Sequence, residues 1–372
     1  MSEQGRVAVV GAGIVGVRVA RELLSPSPEG TKPPGVVITT RRPARREQLA
    51  RSFGSDARVL LDAGGGAELP GDVSVVVVAR GAGDHLDVVT AQIEAGRHVV
   101  STSDDPDEVR ALLELSDRAA AAGVSVVLGA ALSPGLSCLL VAHGATSLDR
   151  VDEVHIARHG VAGPACARQR LRALRGTALD WRDGEWVRRP GFSGRELSWF
   201  PDPVGGRDCY RAELAEPLLV QPVFPTAERV TARLAASRRD RALAPFPVLL
   251  PPPVEGGIGA VRVELRGDLD GARRTVVYGA LDRPAVASGA VAAVAALDAA
   301  AGRLRPGAGG LAGSGRHLEM LTELARRGVR AAVFEGGSVT PAPITAPIGQ
   351  PSMEPSSTAT TSSPVVAPPT DR

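Results

Sequence analysis

Two hydrophobic rhythms alternate along the first third of the chain. Residues 5 to 10 form a short apolar run, and 14 to 24 carry apolar positions at helical spacing, ended by the loop "SPSPEGTKPPG". The cycle repeats with "VVITTRR" (36 to 42), "ARREQLARSF" and "ARVLL", which predict a second strand, a second helix and a short third strand. "VSVVVVAR" (73 to 80) is continuously apolar, as for a strand covered on both faces. Next come a helix over 84 to 95, the strand "HVVSTS" (98 to 103), one helix from about Pro106 to Ala122, and the strand "VSVVLGA" (124 to 130). Such alternation predicts an α/β fold, a doubly wound parallel sheet with right-handed crossovers, over residues 1–132.

After residue 132 the period changes. "LSPGLSCLLVAHGA" reads as a turn feeding a helix, and "VDEVHIARHG" has the period of two of an antiparallel strand. "LLVQPVF", "RVTARLAAS" (229 to 237), "GAVRVELRGD" (259 to 268) and "RRTVVYGAL" (273 to 281) extend this into a second α+β domain over 133–335. Helices at 285 to 302 and near 315 to 327 are expected to return to the first domain. Pro, Ser and Thr dominate residues 336–372, which predicts a disordered tail.

The first strand and helix are joined by G-x-G-x-x-G, at Gly11, Gly13 and Gly16. In this context Gly11 permits the tight turn, Gly13 admits a pyrophosphate to the backbone, and Gly16 lets helix and strand pack closely. The amides of Ala12, Gly13, Ile14 and Val15 then face the anion at a helix N-terminus. An NAD site places Asp or Glu at the end of the second strand, but here stand Thr39, Thr40, Arg41 and Arg42. A guanidinium pairs with a 2′-phosphate, so NADP is favoured and NAD stays possible, since "RRPARREQ" also suits a solvated helix start. Ala79, Arg80, Ser101 and Ser103, at the ends of later strands, are further cofactor contacts.

Composition narrows the partners. The chain of 372 residues has a net charge of +2 and no basic stripe with aromatics, which points to small molecules and away from nucleic acid. Three separated cysteines encode neither a disulfide framework nor a zinc site, and a reducing cytoplasm is expected. No signal core or membrane-length apolar run is read. Lys32 is the only lysine, which argues against sugar oxidoreductases with a catalytic lysine. Dihydrodipicolinate reductase is disfavoured because its His-rich motif is absent.

The run "GRHVVSTSDDPDEVRALLELSDRAAAAGVSVVLGAALSPGLSCLLVAHGA" resembles the saccharopine dehydrogenase (reductase-type) family, whose members place an "hVV..S" strand, a helix with an "A...G" ending and an "LDPG" turn in this order. The resemblance covers residues 5 to 145 and continues through "RPGAGGLAGSGRHLEMLTELARRGVRAAVFEG". It implies a Rossmann domain, a substrate domain, and pyridine-nucleotide chemistry on amino-acid-like or imine substrates. The chain departs from the family pattern in having Asp104 and Asp105 where the family has Tyr. It has Ser133 and Cys138 where the family has Asp and then His. Saccharopine itself is therefore disfavoured as substrate.

Candidate chemistry follows the strand ends. Asp104 is a candidate catalytic residue, as is Cys138 at a helix N-terminus that would lower a thiol pKa; a cap beside Asp105 and an inert buried thiol are the alternatives. Asp84 and His85 suit either proton handling or a helix cap with a surface histidine. "FPDPVGGRDCYRAE" (200 to 213) gathers Arg207, Asp208, Tyr210 and Arg211. Arg207 and Tyr210, with Ser133, could hold a substrate carboxylate, and Tyr210 could take part in catalysis; an ordinary loop into a strand explains the stretch as well. "RHGVAGPACARQR" adds His159, Arg168 and Arg170. No metal-ligand spacing is present. The reading is an NADP-dependent oxidoreductase acting on a small molecule, with a homodimer as the assembly the fold allows; a non-catalytic NADP-binding sensor or scaffold is the alternative.

Overall fold

In the computed structural model the described residues are 5–26, 32–62, 69–238, 240, 256–335 and 338–341. The first sheet is built by β1 (Arg6–Val10), β2 (Val36–Thr40), β3 (Ala57–Leu61), β4 (Val73–Val78), β5 (His98–Ser101) and β6 (Ser125–Leu128). Between them run α1 (Ile14–Leu24), α2 (Pro43–Phe53), α3 (Leu86–Glu94), α4 (Pro106–Leu113) and α5 (Ser116–Ala121). Strand order is β6-β5-β4-β1-β2-β3, with every pairing parallel. β1, β2 and β4 are almost wholly buried, as their valine-rich sequences require when helices cover both faces. A seventh strand from far along the chain, Gly307–Gly310, pairs with β6.

One helix was expected over 106 to 122, and two are found. A turn at Glu114 and Leu115 separates α4 from α5 and places the Ser116 hydroxyl to accept from the Ala308 amide of the seventh strand at 3.1 Å. That long-range contact is invisible to local periodicity.

Beyond β6 come α6 (Leu136–Ala145), β7 (Arg150–His159), α7 (Pro164–Arg175), β8 (Thr177–Arg182), β9 (Glu185–Pro190), β10 (Glu196–Phe200) and β11 (Gly205–Arg211). They are followed by α8 (Glu216–Val220), β12 (Arg229–Ala235), β13 (Gly259–Leu269), β14 (Ala272–Asp282) and α9 (Pro284–Ala300). The Gly307–Gly310 strand is β15, and α10 (His317–Arg326), β16 (Arg330–Glu335) and β17 (Ser338–Pro341) complete the order. β10-β11-β12-β7-β13-β14-β16-β17 form the second sheet, with β8 attached to β12 and β9 to β8. It is mixed, because β7 runs parallel to β12 and antiparallel to β13.

"LLVQPVF" was expected as a strand, yet Glu216–Val220 is helical and Gln221–Val223 a 3₁₀ turn. Pro217 starts the helix and Pro222 could donate no ladder bond, while an apolar run this short fits a buried helix equally well. Ser338–Pro341, placed in the disordered tail expected over 336–372, pairs with β16 as a strand; residues 342–372 lie outside the described residues. α9 returns to the first sheet and crosses α1 so closely that a Cβ on Gly289 would stand 2.5 Å from Arg18 Cγ. One buried cluster of side chains consequently runs through both sheets.

A tight constraint is at the β1–α1 turn. Gly11 adopts φ +115°, and a Cβ on Gly16 would stand 1.9 Å from the Gly11 carbonyl oxygen. Gly16→Ala is expected to destabilise the fold by about 3 kcal/mol or more, because backbone rather than a yielding side chain blocks the new carbon. Urea unfolding of the variant beside the wild type measures this.

Candidate functional site

The glycine turn is built to leave room as well as to save it. Gly11 and Gly16 lack side chains because backbone occupies the space, but a Cβ on Gly13 would meet nothing within 4 Å. Packing therefore does not account for Gly13. α1 begins there with no capping side chain and no acidic residue in its first turn. Its free N–H groups and positive dipole end suit an anion such as a diphosphate.

Gly13, Ile14 and Val15 line one wall of a cavity of about 590 Å³. The facing wall comes from the second sheet and from α7, including Arg158, His159, Arg168 and Arg172. α7 repeats the features of α1: Gly163 is its N-cap, no side chain caps it, and no acid lies in its first turn. Arg168 and Arg172, one helical turn apart, are exposed on the cavity wall. Gln169 between them is buried, with Nε2 donating to Asp105 at 3.1 Å and Oε1 unpartnered. Arg170 is committed to Asp240 at 3.1 Å and to the Ala235 carbonyl at 2.8 Å.

Asp104 lies in this cavity, 3.1 Å from Arg158 Nη1. The same nitrogen donates to the Ser133 carbonyl at 2.5 Å and stands 3.8 Å from the fully buried Glu216. Ser133 also lines the cavity and donates its hydroxyl to Glu216 at 2.7 Å. Arg158, which no motif flagged, thus ties β7 to the loops after β5 and β6. His159 lines the cavity too, and burial, with the charges of Arg207 and Arg170, holds its pKa below the ordinary imidazole value.

Other expected site residues lie elsewhere. Cys138 is wholly enclosed, and burial pushes its thiol up to about 12, so the helix terminus does not yield a thiolate. Tyr210 is buried in β11 with its ring edge-on to Phe192 at 6.0 Å. Arg207 is exposed on the same strand and does not line the cavity. The "GGRDCYR" stretch is strand, and its pairing with β10 and β12 buries both Cys209 and Tyr210.

Behind the cavity is a buried polar network. Glu108 accepts from the amides of Gly83 at 3.0 Å and His85 at 2.8 Å, and from the Ser103 hydroxyl. His85 is neither surface residue nor side-chain cap: it is 0% exposed. Its Nε2 lies 3.2 Å from the Arg80 carbonyl, which can only accept, so Nδ1 accepts from the Ser101 hydroxyl at 2.9 Å. Burial lowers its pKa, against the opposing Glu108 charge. Asp105, as the alternative reading had it, caps α4 through the amides of Asp107 and Glu108. Ala79 and Arg80 line the cavity, but the Arg80 guanidinium is paired with buried Asp62. Thr40, Arg41 and Arg42 sit beyond it at the end of β2, where the Thr40 hydroxyl accepts from the Arg42 amide at 3.3 Å.

No family model matches the chain. Among solved structures, saccharopine dehydrogenase (L-Glu forming) from Saccharomyces cerevisiae superposes with a TM-score of 0.65 at 16% identity, over 89% of this chain and 100% of that one. The chain has that dehydrogenase's fold. C. glutamicum DAP dehydrogenase in complex with DAP matches at a TM-score of 0.46 and 16% identity, covering 84% and 94% of the two chains. An engineered D-amino acid dehydrogenase bound to NADP+ gives 0.46 and 16%, covering 83% and 94%. At such identities the likeness is one of fold. Among the described residues no helix is long and apolar enough to cross a membrane.

Two outcomes follow. Gly13→Ala is expected to change stability by less than about 1 kcal/mol, since nothing obstructs the new methyl, yet to weaken dinucleotide binding about tenfold or more; urea unfolding and fluorescence titration separate the two effects. His85 titrates lower in the folded than in the unfolded chain, so folding loses stability as pH falls from the ordinary imidazole pKa toward the folded one, by up to about 1.4 kcal/mol per pH unit. His85→Gln should show a shallower loss between about pH 7 and pH 5 by urea midpoint, because His98, His143 and His159, also depressed, titrate alike in both proteins.

Proposed function

We propose that the chain is an NADP(H)-dependent oxidoreductase of saccharopine dehydrogenase-like type, moving a hydride between nicotinamide and a small amino-acid-like or imine substrate. One observation carries this reading: a single cavity is bounded by the uncapped glycine turn on one side and by the α7 arginines on the other. A nicotinamide dinucleotide held at the turn would supply the hydride. The residues of the chain do the rest.

In this reading the amides of residues 12 to 15 hold the diphosphate, and Arg41 and Arg42 meet a 2′-phosphate. Arg168 and Arg172, with the start of α7, hold a substrate carboxylate, for which paired guanidinium groups and a helix N-terminus are suited. The Asp104 carboxylate, fixed by Arg158, faces developing positive charge on an amine or imine carbon. His159, kept neutral by its surroundings, offers a lone pair to an amine proton.

A second reading, a dinucleotide-binding sensor without turnover, draws on the positions of Cys138 and Tyr210 away from the cavity. The two readings part in one assay, in which NADPH is supplied with keto acids and amines. Oxidation of NADPH supports the enzyme; binding without consumption across the panel supports the sensor. For the enzyme, Arg168→Ala and Arg172→Ala should each raise KM about tenfold or more with kcat changed less, since each removes a charge-assisted contact common to ground and transition states. Unchanged steady-state kinetics in both would remove α7 from the substrate site.

A further inference from the structure

The C-terminal edge of the first sheet is crossed by two ion pairs. β1 lies between β2 and β4, so a side-chain link from beyond β2 to beyond β4 passes over the start of the glycine turn. One link is sealed: Arg80 after β4 reaches Asp62 after β3, with side chains only 7% and 6% exposed. The other is open: Arg41, the first residue past β2, meets Asp84 of the β4–α3 loop at 3.2 Å, with 50% and 47% exposure. A buried pair is costly to break, whereas an exposed one contributes little to stability and exchanges partners readily.

We propose that Asp84 is a specificity-determining residue for the cofactor, competing with a ribose 2′-phosphate for the Arg41 guanidinium. The inference rests on reading the turn as a dinucleotide site. A phosphorylated ribose gains Arg41 only by taking it from Asp84, and its phosphate is then left facing a carboxylate. An unphosphorylated ribose leaves the pair intact, and Asp84 is present as an acceptor for a ribose hydroxyl. In NAD sites an acid at the end of the second strand does that work, and here that place is taken by Thr40 and Arg41. Asp84 thus restores from β4 the carboxylate that β2 lacks, and it narrows the advantage that the arginines give to NADP. Arg45, in the first turn of α2, is already engaged: Nε donates to the Ala12 carbonyl at 3.3 Å and Nη1 to Gln48 Oε1 at 2.5 Å. Arg41 is held at this mouth by an exposed pair.

Fluorescence titration of the full chain with NADPH and with NADH, at low and high salt, tests the proposal. Asp84→Asn should raise the ratio of the NADH to the NADPH dissociation constant by about fivefold at low salt, and by less at high salt, where exposed charges are screened. Arg41→Ala should lower that ratio, and adding Asp84→Asn to the Arg41→Ala protein should raise it by a smaller factor than the same change does in the wild type. An Asp84→Asn ratio equal to wild type, or an equal gain with and without Arg41, would overturn the competition. If the wild type binds neither dinucleotide, the proposed function falls and this inference with it. If it binds either one and the ratio stays put, the inference alone falls.

Discussion

α1 can start where it does only because no side-chain carbon stands between its first turn and the ends of β1 and β4. A Cβ on Gly16 would reach 1.9 Å from the Gly11 carbonyl oxygen, and one on Gly11 would reach 2.4 Å from the Ala79 carbonyl oxygen. That closeness brings an uncapped helix terminus to the edge of the sheet, beside the loops after β4 and β5. Every functional feature lies within reach of this point: the cavity, the two ion pairs across the sheet edge, and the Glu108 network that fixes the loops.

The polar groups of the site divide by how firmly they are held. Glu108, His85, Ser101 and Ser103 satisfy one another in a sealed cluster, which sets the course of two strand-end loops at little conformational cost. Arg158 does the same between the sheets, bracketed by Asp104, Glu216 and the Ser133 carbonyl. Arg168, Arg172 and the Arg41–Asp84 pair are exposed, so a ligand can engage them without opening the core. Buried groups shape the cleft, and the charges with open access to solvent lie on its α7 wall and past the end of β2.

Much of the first sheet was legible in the residues. Valine-rich runs mark strands buried on both faces, and glycine at three set positions marks the turn. Legibility faded where two structures share one local pattern. Leu218, Leu219 and Val220 are apolar enough for a strand, and a proline on either side settles them as helix. Tyr210 and Arg207 lie in a polar, glycine-bearing stretch that reads as a binding loop, yet pairing with β10 and β12 turns the tyrosine inward.

By itself the sequence determined the parallel sheet, the glycine turn and the arginines that follow β2, because these depend on periodicity and on residue types at short, fixed spacing. Only the tertiary structure decided which charges meet. Arg158 with Asp104 and Glu216, Arg41 with Asp84, and the Cys138 thiol sealed from solvent all depend on segments brought together by packing. The strength of a charge or thiol is set by the dielectric and partners around it, and those belong to the fold as a whole, not to any stretch of the chain.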